Sequence, residues 1–246
     1  MKERLYTMEL TDAVRAGDEC MFCWLNRKLE QENLEFVLGS SYMESDIREK
    51  TSEKGFCRHH VKLMYDYGNS LGNAWIMKSW LEQKNRELKA QSAQNSAEKK
   101  SAGKPGWFSK LRNGSSGAGN GFGGNGIQES CYICERMQTV SDRMLDTFVH
   151  MLRTDAAFEE QLMQTKGFCF PHYQAILAVC ESKLKPEEQS RWIPRLNTLM
   201  QENLDRVQAD INWLIEKYDY RNQDADWRQS KDALPRTMQK LTGRMV

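Results

Sequence analysis

The sequence predicts an all-α protein, a helical bundle of two pseudo-repeated modules, on three observations. Apolar residues recur at intervals of three and four over most of the chain, the spacing of one helix face. No alternating apolar and polar run bounded by hairpin turns is found, so no strand is expected. The two halves also carry the same spacing of cysteines and histidines, which is the mark of an internal repeat.

The elements follow in chain order. From about Cys20 to Leu38, Phe22, Leu25, Leu29 and Phe36 recur at helical spacing, and Gly39 supplies a stop. A short helix is expected over Tyr42 to Ser52. Gly55-Phe-Cys57 reads as the turn opening one long helix to about Lys89, with Val61, Met64, Leu71, Trp75 and Lys78 toward one side. The second copy repeats the plan with helices over Cys131 to Leu152, near Ala156 to Gln164, and over Phe170 to Lys183. A last helix begins at Pro186, or restarts at Pro194, and continues to Tyr218. Its stripe of Ile193, Leu196, Met200, Leu204, Val207, Ile211, Leu214 and Tyr218 is close to the coiled-coil period. A seam inside the bundle accounts for such a stripe, and a homodimer interface is the alternative.

Composition bounds the function. Among 246 residues, 35 Lys and Arg against 34 Asp and Glu leave a net charge of +1, which excludes a wholesale polyanion binder. Hydrophobic residues at 39% suffice for a core. No apolar run approaches the roughly 20 residues of a membrane-spanning helix. The opening Met1 to Cys20 carries Lys2, Glu3 and Arg4 and lacks the apolar core of a signal peptide, so a cytoplasmic location is expected.

The seven cysteines are the most informative residues. Their odd number, without an export signal, argues against a disulfide framework. Cys20-Met-Phe-Cys23 is followed, after 33 intervening residues, by Cys57-Arg-His-His60, and Cys131-Tyr-Ile-Cys134 is followed, after 34, by Cys169-Phe-Pro-His172. Both second halves read Lys-Gly-Phe-Cys-x-x-His. Three thiolates and one imidazole, delivered as two close pairs, suit tetrahedral Zn²⁺. Each copy is therefore expected to close its own Cys₃His site: Cys20, Cys23, Cys57 and His60, then Cys131, Cys134, Cys169 and His172. Two zinc ions per chain follow, with an iron–sulfur cluster or a dithiol redox pair as alternatives for the same cysteines. His59 lacks the spacing and reads as a flanking residue. Cys180, among Ile176, Leu177 and Val179, reads as a helix core thiol, and His150 as a packed or surface residue.

Between the copies the composition changes. Lys84 to Arg112 hold eight Lys or Arg against two Glu, and Asn113 to Gly126 hold seven glycines in fourteen positions. A segment that cannot bury enough surface to offset its ordering entropy reads as a flexible linker. Trp107, Phe108 and Leu111 among its cations are too short a patch to be expected to hold a membrane or nucleic acid. Gly121 to Gly126 matches G-x-G-x-x-G, but no strand precedes it, so it is not a nucleotide loop.

The doubled CxxC…GFCxxH pattern resembles an uncharacterised bacterial domain-of-unknown-function family. Matching stretches include Met1 to Tyr6, Leu38 to Met43 with Asp46 to Arg48, Lys166 to Cys169 with Pro171-His172, and Trp227 through Ser230 to Arg236 and Leu241 to Gly243. The resemblance covers nearly the whole chain apart from the glycine-rich linker. It places the family's metal motif on the same eight residues and implies no established activity.

The expected organisation is a first module over 1–90, a linker over 91–128, a second module with the long helix over 129–218, and a tail over 219–246. With all four ligands from the protein, no coordination position stays open, so each site is expected to be structural rather than catalytic. A non-enzymatic interaction or regulatory protein with a protein partner is the leading expectation. The tail, with Arg228, Lys231, Arg236 and Lys240 among Trp227, Leu234, Met238 and Leu241, is either a docking segment or packs on the repeats. No small-molecule substrate is indicated.

Overall fold

The computed structural model describes residues 5–101 and 130–243. Among them lie ten α-helices and no strand, so the protein is all-α. The helices are α1 (Thr7–Arg15), α2 (Met21–Leu38), α3 (Ser45–Lys54), α4 (Arg58–Asp66), α5 (Ser70–Ser101), α6 (Tyr132–Thr154), α7 (Ala156–Met163), α8 (Phe170–Lys183), α9 (Pro186–Glu216) and α10 (Ala233–Thr242). The basic, glycine-rich stretch with Trp107, Phe108 and Leu111 lies outside the described residues.

The long helix expected from Cys57 to Lys89 is two helices. The chain turns through Gly68 at φ 87°. Asn69 then caps α5, accepting from the Gly72 amide at 2.9 Å and donating to the Leu38 carbonyl at 2.6 Å. Glycine followed by a capping asparagine is a stop and a start in succession, and it overrides the apolar spacing that runs across it. The expected stripe breaks with the helix: Met64 on α4 and Ile76 on α5 are buried, whereas Leu71 is exposed. α5 also extends to Ser101, past the expected start of the linker at 91.

The chain divides into two compact units that interleave in sequence. Unit 1 combines Met1–Glu30 with Met137–Val246, and unit 2 is Gln31–Arg136. Helices α2 and α6 each pass from one unit into the other.

Unit 1 is built on an aromatic and aliphatic core. Phe148 meets Phe22, Phe158 and Phe168 edge-on at ring separations of 5.5, 5.8 and 6.1 Å, a geometry the ring quadrupoles favour. Trp192, Leu196, Leu199 and Met200 of α9 pack on the same core. The α9 stripe is thus buried within the chain over its first half, while Tyr218 at its end is exposed. Beyond α9, the buried Lys217 ammonium donates to the carbonyls of Asn222, Gln223 and Ala225 at 2.6–2.7 Å and holds the turn that leads to α10.

Unit 2 packs Leu34, Val37, Leu38, Ile47, Phe56, Met64 and Ile76. Phe56 meets Trp80 edge-on at 5.9 Å. Gly55 before it sits at φ 66°, ψ −162°, a region open essentially to glycine. A Cβ there would lie 2.5 Å from the Trp80 ring. Gly55→Ala therefore combines backbone strain with overpacking, and should cost about 2–5 kcal/mol. Urea denaturation of the purified variant measures it; a loss below about 0.5 kcal/mol, the range of an ordinary surface exchange, would mean Trp80 yields freely.

Candidate metal centres

Each ligand pair sits at the start of a helix. Cys20 immediately precedes α2, its carbonyl accepting from the Trp24 amide at 3.1 Å, and Cys23 lies one turn in. Cys131 precedes α6 in the same way, accepting from the Glu135 amide at 3.0 Å, with Cys134 one turn on. Cys57 and Cys169 are the N-caps of α4 and α8, both with extended backbone (ψ 163° and 160°), and His60 and His172 follow in the first turn. Residues three apart in a first helical turn face the same way, which is why CxxC and CxxH deliver two donors to one point. The positive end of each helix dipole also favours thiolate there.

The Lys-Gly-Phe-Cys-x-x-His signature now has a physical reading at both copies. The glycine turns at positive φ, 66° at Gly55 and 73° at Gly167. The phenylalanine anchors the turn, since Phe56 and Phe168 are fully buried. The lysine pairs with a glutamate beside a CxxC: Lys54 with Glu135 at 2.6 Å, and Lys166 with Glu19 at 3.9 Å. Backbone bonds complete the joint in unit 2, where the Tyr132 amide donates to the Gly55 carbonyl at 3.0 Å and Ser130 Oγ to the Lys54 carbonyl at 2.6 Å.

All eight expected ligands come together in two quartets, but not within each copy. Cys20 and Cys23 meet Cys169 and His172 in unit 1, and Cys57 and His60 meet Cys131 and Cys134 in unit 2. The expected pairing of Cys20 and Cys23 with Cys57 and His60, and of Cys131 and Cys134 with Cys169 and His172, is corrected. The cause is helix length. At 1.5 Å per residue, α2 runs about 27 Å onward from the first pair, and the ten residues of α3 span only about 15 Å before Cys57. The 23 residues of α6 and eight of α7 separate Cys134 from Cys169 in the same way.

Within each quartet the donor atoms lie within 4.8 Å of one another. In unit 1, His172 Nδ1 is 3.4, 3.5 and 3.0 Å from the Sγ atoms of Cys20, Cys23 and Cys169, and Cys23 Sγ is 3.6 Å from Cys169 Sγ. In unit 2, His60 Nδ1 is 3.2, 3.3 and 3.3 Å from Cys57, Cys131 and Cys134, and Cys57 Sγ is 3.9 Å from Cys134 Sγ. A tetrahedral zinc with Zn–S of about 2.3 Å and Zn–N of about 2.05 Å sets S···S near 3.8 Å and S···N near 3.6 Å. These S···S spacings lie within about 0.2 Å of those edges, and the S···N spacings are shorter than theirs by about 0.1–0.6 Å.

The protonation of the clusters reflects the same crowding. Burial alone would push His172 down, but its contacts with Cys169 and Cys20 outweigh it and raise the imidazole to about 10. In unit 2, burial opposes ionisation of Cys131, yet the bond to His60 wins and brings the thiol down to about 6. Burial and the nearby Cys131 charge then push Cys134 up to about 12. In each cluster one ionised thiol makes further negative charge unfavourable until a cation neutralises it.

The surroundings of the unit 1 quartet were not legible in the sequence. His172 Nε2 lies 3.0 Å from Asn26 Nδ2, and Asn26 Oδ1 lies 3.1 Å from Ser141 Oγ. With Nδ1 on a metal, Nε2 carries the proton, and the Asn26 amide turned by 180° accepts it while donating to Ser141. Cys23 Sγ is 3.3 Å from the Gly243 carbonyl at the end of α10. The Lys240 ammonium, 1% exposed, reaches the carbonyl of Glu19 at 2.6 Å and of Phe168 at 3.4 Å, bonds also to that of Lys166, and pairs with the Glu19 carboxylate at 3.4 Å. One side chain of α10 thus holds the chain just before Cys20 and just before Cys169. The tail's cations Lys240 and Arg236 turn inward, whereas Leu234, Met238 and Leu241 stay exposed.

His59 is exposed and adjoins the quartet, its ring 5.1 Å from that of His60, whereas Cys180 and His150 stand apart from both quartets. Cys180 is buried in the unit 1 core, and burial followed by the Glu181 charge raises its thiol to about 11, as suits an inert core cysteine. His150 belongs to no metal-competent cluster among the described residues.

Fold and site define a class: an all-α protein with two Cys₃His clusters able to hold metal ions. The chain belongs to a family of unknown function, DUF6062, whose model matches residues 1–246. No curated protein and no solved structure matches it. No helix among the described residues is long and apolar enough to cross a membrane.

Proposed function

We propose that each quartet binds one Zn²⁺ as a structural ion, and that the protein is a non-enzymatic interaction or regulatory protein of the cytoplasm. The observation that carries this reading is the closed donor set: three thiols and one imidazole with donor atoms within 4.8 Å of one another, twice. Four protein ligands leave no position for water or substrate, the arrangement of structural rather than catalytic zinc. Thiolate-rich sites select zinc or iron–sulfur clusters among intracellular metals, and an imidazole in both sets favours zinc. Each ion joins two helix starts far apart in sequence, so its binding free energy becomes folding free energy. A partner protein is the fitting counterpart for a chain of balanced charge whose exposed tail residues include Leu234 and Leu241.

Elemental mass spectrometry of the purified protein should find two zinc ions per chain. Chelation should lower the melting temperature, and cobalt substitution should give the strong visible bands of tetrahedral thiolate. A brown iron chromophore, or a melting curve unchanged after verified metal removal, would defeat the proposal.

A further inference from the structure

The two quartets share a donor set but not an environment. In unit 1, Cys20, Cys23 and Cys169 are 0%, 3% and 0% exposed, with α10 and its Gly243 carbonyl against Cys23. In unit 2, Cys131 is buried but Cys57 is half-buried and Cys134 is exposed. The two accessible sulfurs are neighbours, Cys57 Sγ and Cys134 Sγ being 3.9 Å apart. Each stands at a helix start and, when bound to zinc, is held as the thiolate by the cation.

Resting on the reading of the quartets as zinc sites, we propose that Cys134 is the site at which a hydroperoxide oxidises the protein. Cys57 then resolves the product and the unit 2 zinc is released. The Cys134 thiolate attacks one peroxide oxygen: an S–O bond forms, the O–O bond breaks, and hydroxide leaves and takes a proton to become water. The Cys57 thiolate attacks the sulfenic sulfur: an S–S bond forms, the S–O bond breaks, and a second hydroxide leaves and is protonated. Two thiolates, one hydrogen peroxide and two protons thus become one disulfide and two waters. Closing from 3.9 Å to the roughly 2.05 Å of a disulfide brings the two sulfurs about 1.9 Å nearer. The cation loses two of its four donors and dissociates. The unit 1 sulfurs, enclosed by α10 and the aromatic core, offer a peroxide no approach.

The test uses the full-length, zinc-loaded protein. Hydrogen peroxide is added in the presence of a chromophoric zinc chelator, and the thiols are mapped by mass spectrometry after trapping. One of the two zinc equivalents should be released first, together with a Cys57–Cys134 disulfide, while Cys20, Cys23 and Cys169 remain reduced. Cys134→His, with its metal content measured before peroxide is added, should form no disulfide at Cys57 and show no peroxide-driven release from unit 2. Simultaneous loss of both equivalents, or first oxidation at a unit 1 cysteine, overturns this proposal while leaving the zinc assignment standing. A protein that takes up neither zinc nor cobalt overturns both.

Discussion

Lys240→Met should cost about 3–5 kcal/mol, the range for breaking a buried charge pair by removing one partner. The Lys240 ammonium is almost fully buried and satisfies three carbonyls as well as the Glu19 carboxylate. Methionine matches its length but donates nothing, so each carbonyl loses its partner in a place water does not reach. Set against the roughly 5–15 kcal/mol that holds a domain together, that loss leaves unit 1 near its limit. The affected carbonyls belong to residues beside Cys20 and Cys169, so the unit 1 metal should be lost to a competing chelator sooner than the unit 2 metal. Denaturant titration of the loaded variant gives the first quantity, and stepwise chelation the second. A stability change of a few tenths of a kcal/mol would show that the ammonium is solvated and that α10 is held by other contacts.

The crossed quartets make a second prediction of large effect. Cys20→Ser with Cys169→Ser removes two donors from the same site, so that variant should keep one of two metal equivalents. Cys20→Ser with Cys57→Ser removes one donor from each, and should keep neither under competition. Had each copy closed its own site, the two outcomes would be exchanged. The effect on stability follows the same logic. The first pair should behave as one lesion, because the second substitution damages a site already lost, while the second pair should be additive. Metal content after dialysis against a weak chelator reads this directly.

What the sequence disclosed and what it withheld divide along a physical line. The donors and their pairing three residues apart are local: a helix start with Cys at the cap and Cys or His one turn later does not depend on the rest of the chain. The all-α class is local too, since helical spacing and the absence of strand signals are properties of short windows. Partnership between pairs is not local. Both CxxC pairs are interchangeable with respect to both GFCxxH pairs, so composition and spacing are identical for crossed and uncrossed closure. Only the lengths of α2 and α6 distinguish them. The break at Gly68 and Asn69 was present in the sequence as a stop and a start, but the apolar spacing across it suggested a single helix. Lys240 was legible only as one cation of a tail that either docks or packs on the repeats. A lysine in an amphipathic tail reads as solvated, and its burial depends on carbonyls brought together from Glu19, Lys166 and Phe168.

Crossed closure also sets an order of events during synthesis on the ribosome. Cys23 and His172 are 149 positions apart. At about 5–20 residues per second, the first thiol pair waits roughly 7–30 s for its partners to be made. Cys57 and His60 emerge well before that and offer the nascent chain a complete but non-native set of four donors. The finished protein is reached only if α2 extends early enough to hold those two pairs apart, or if a misplaced ion exchanges out before the second half arrives.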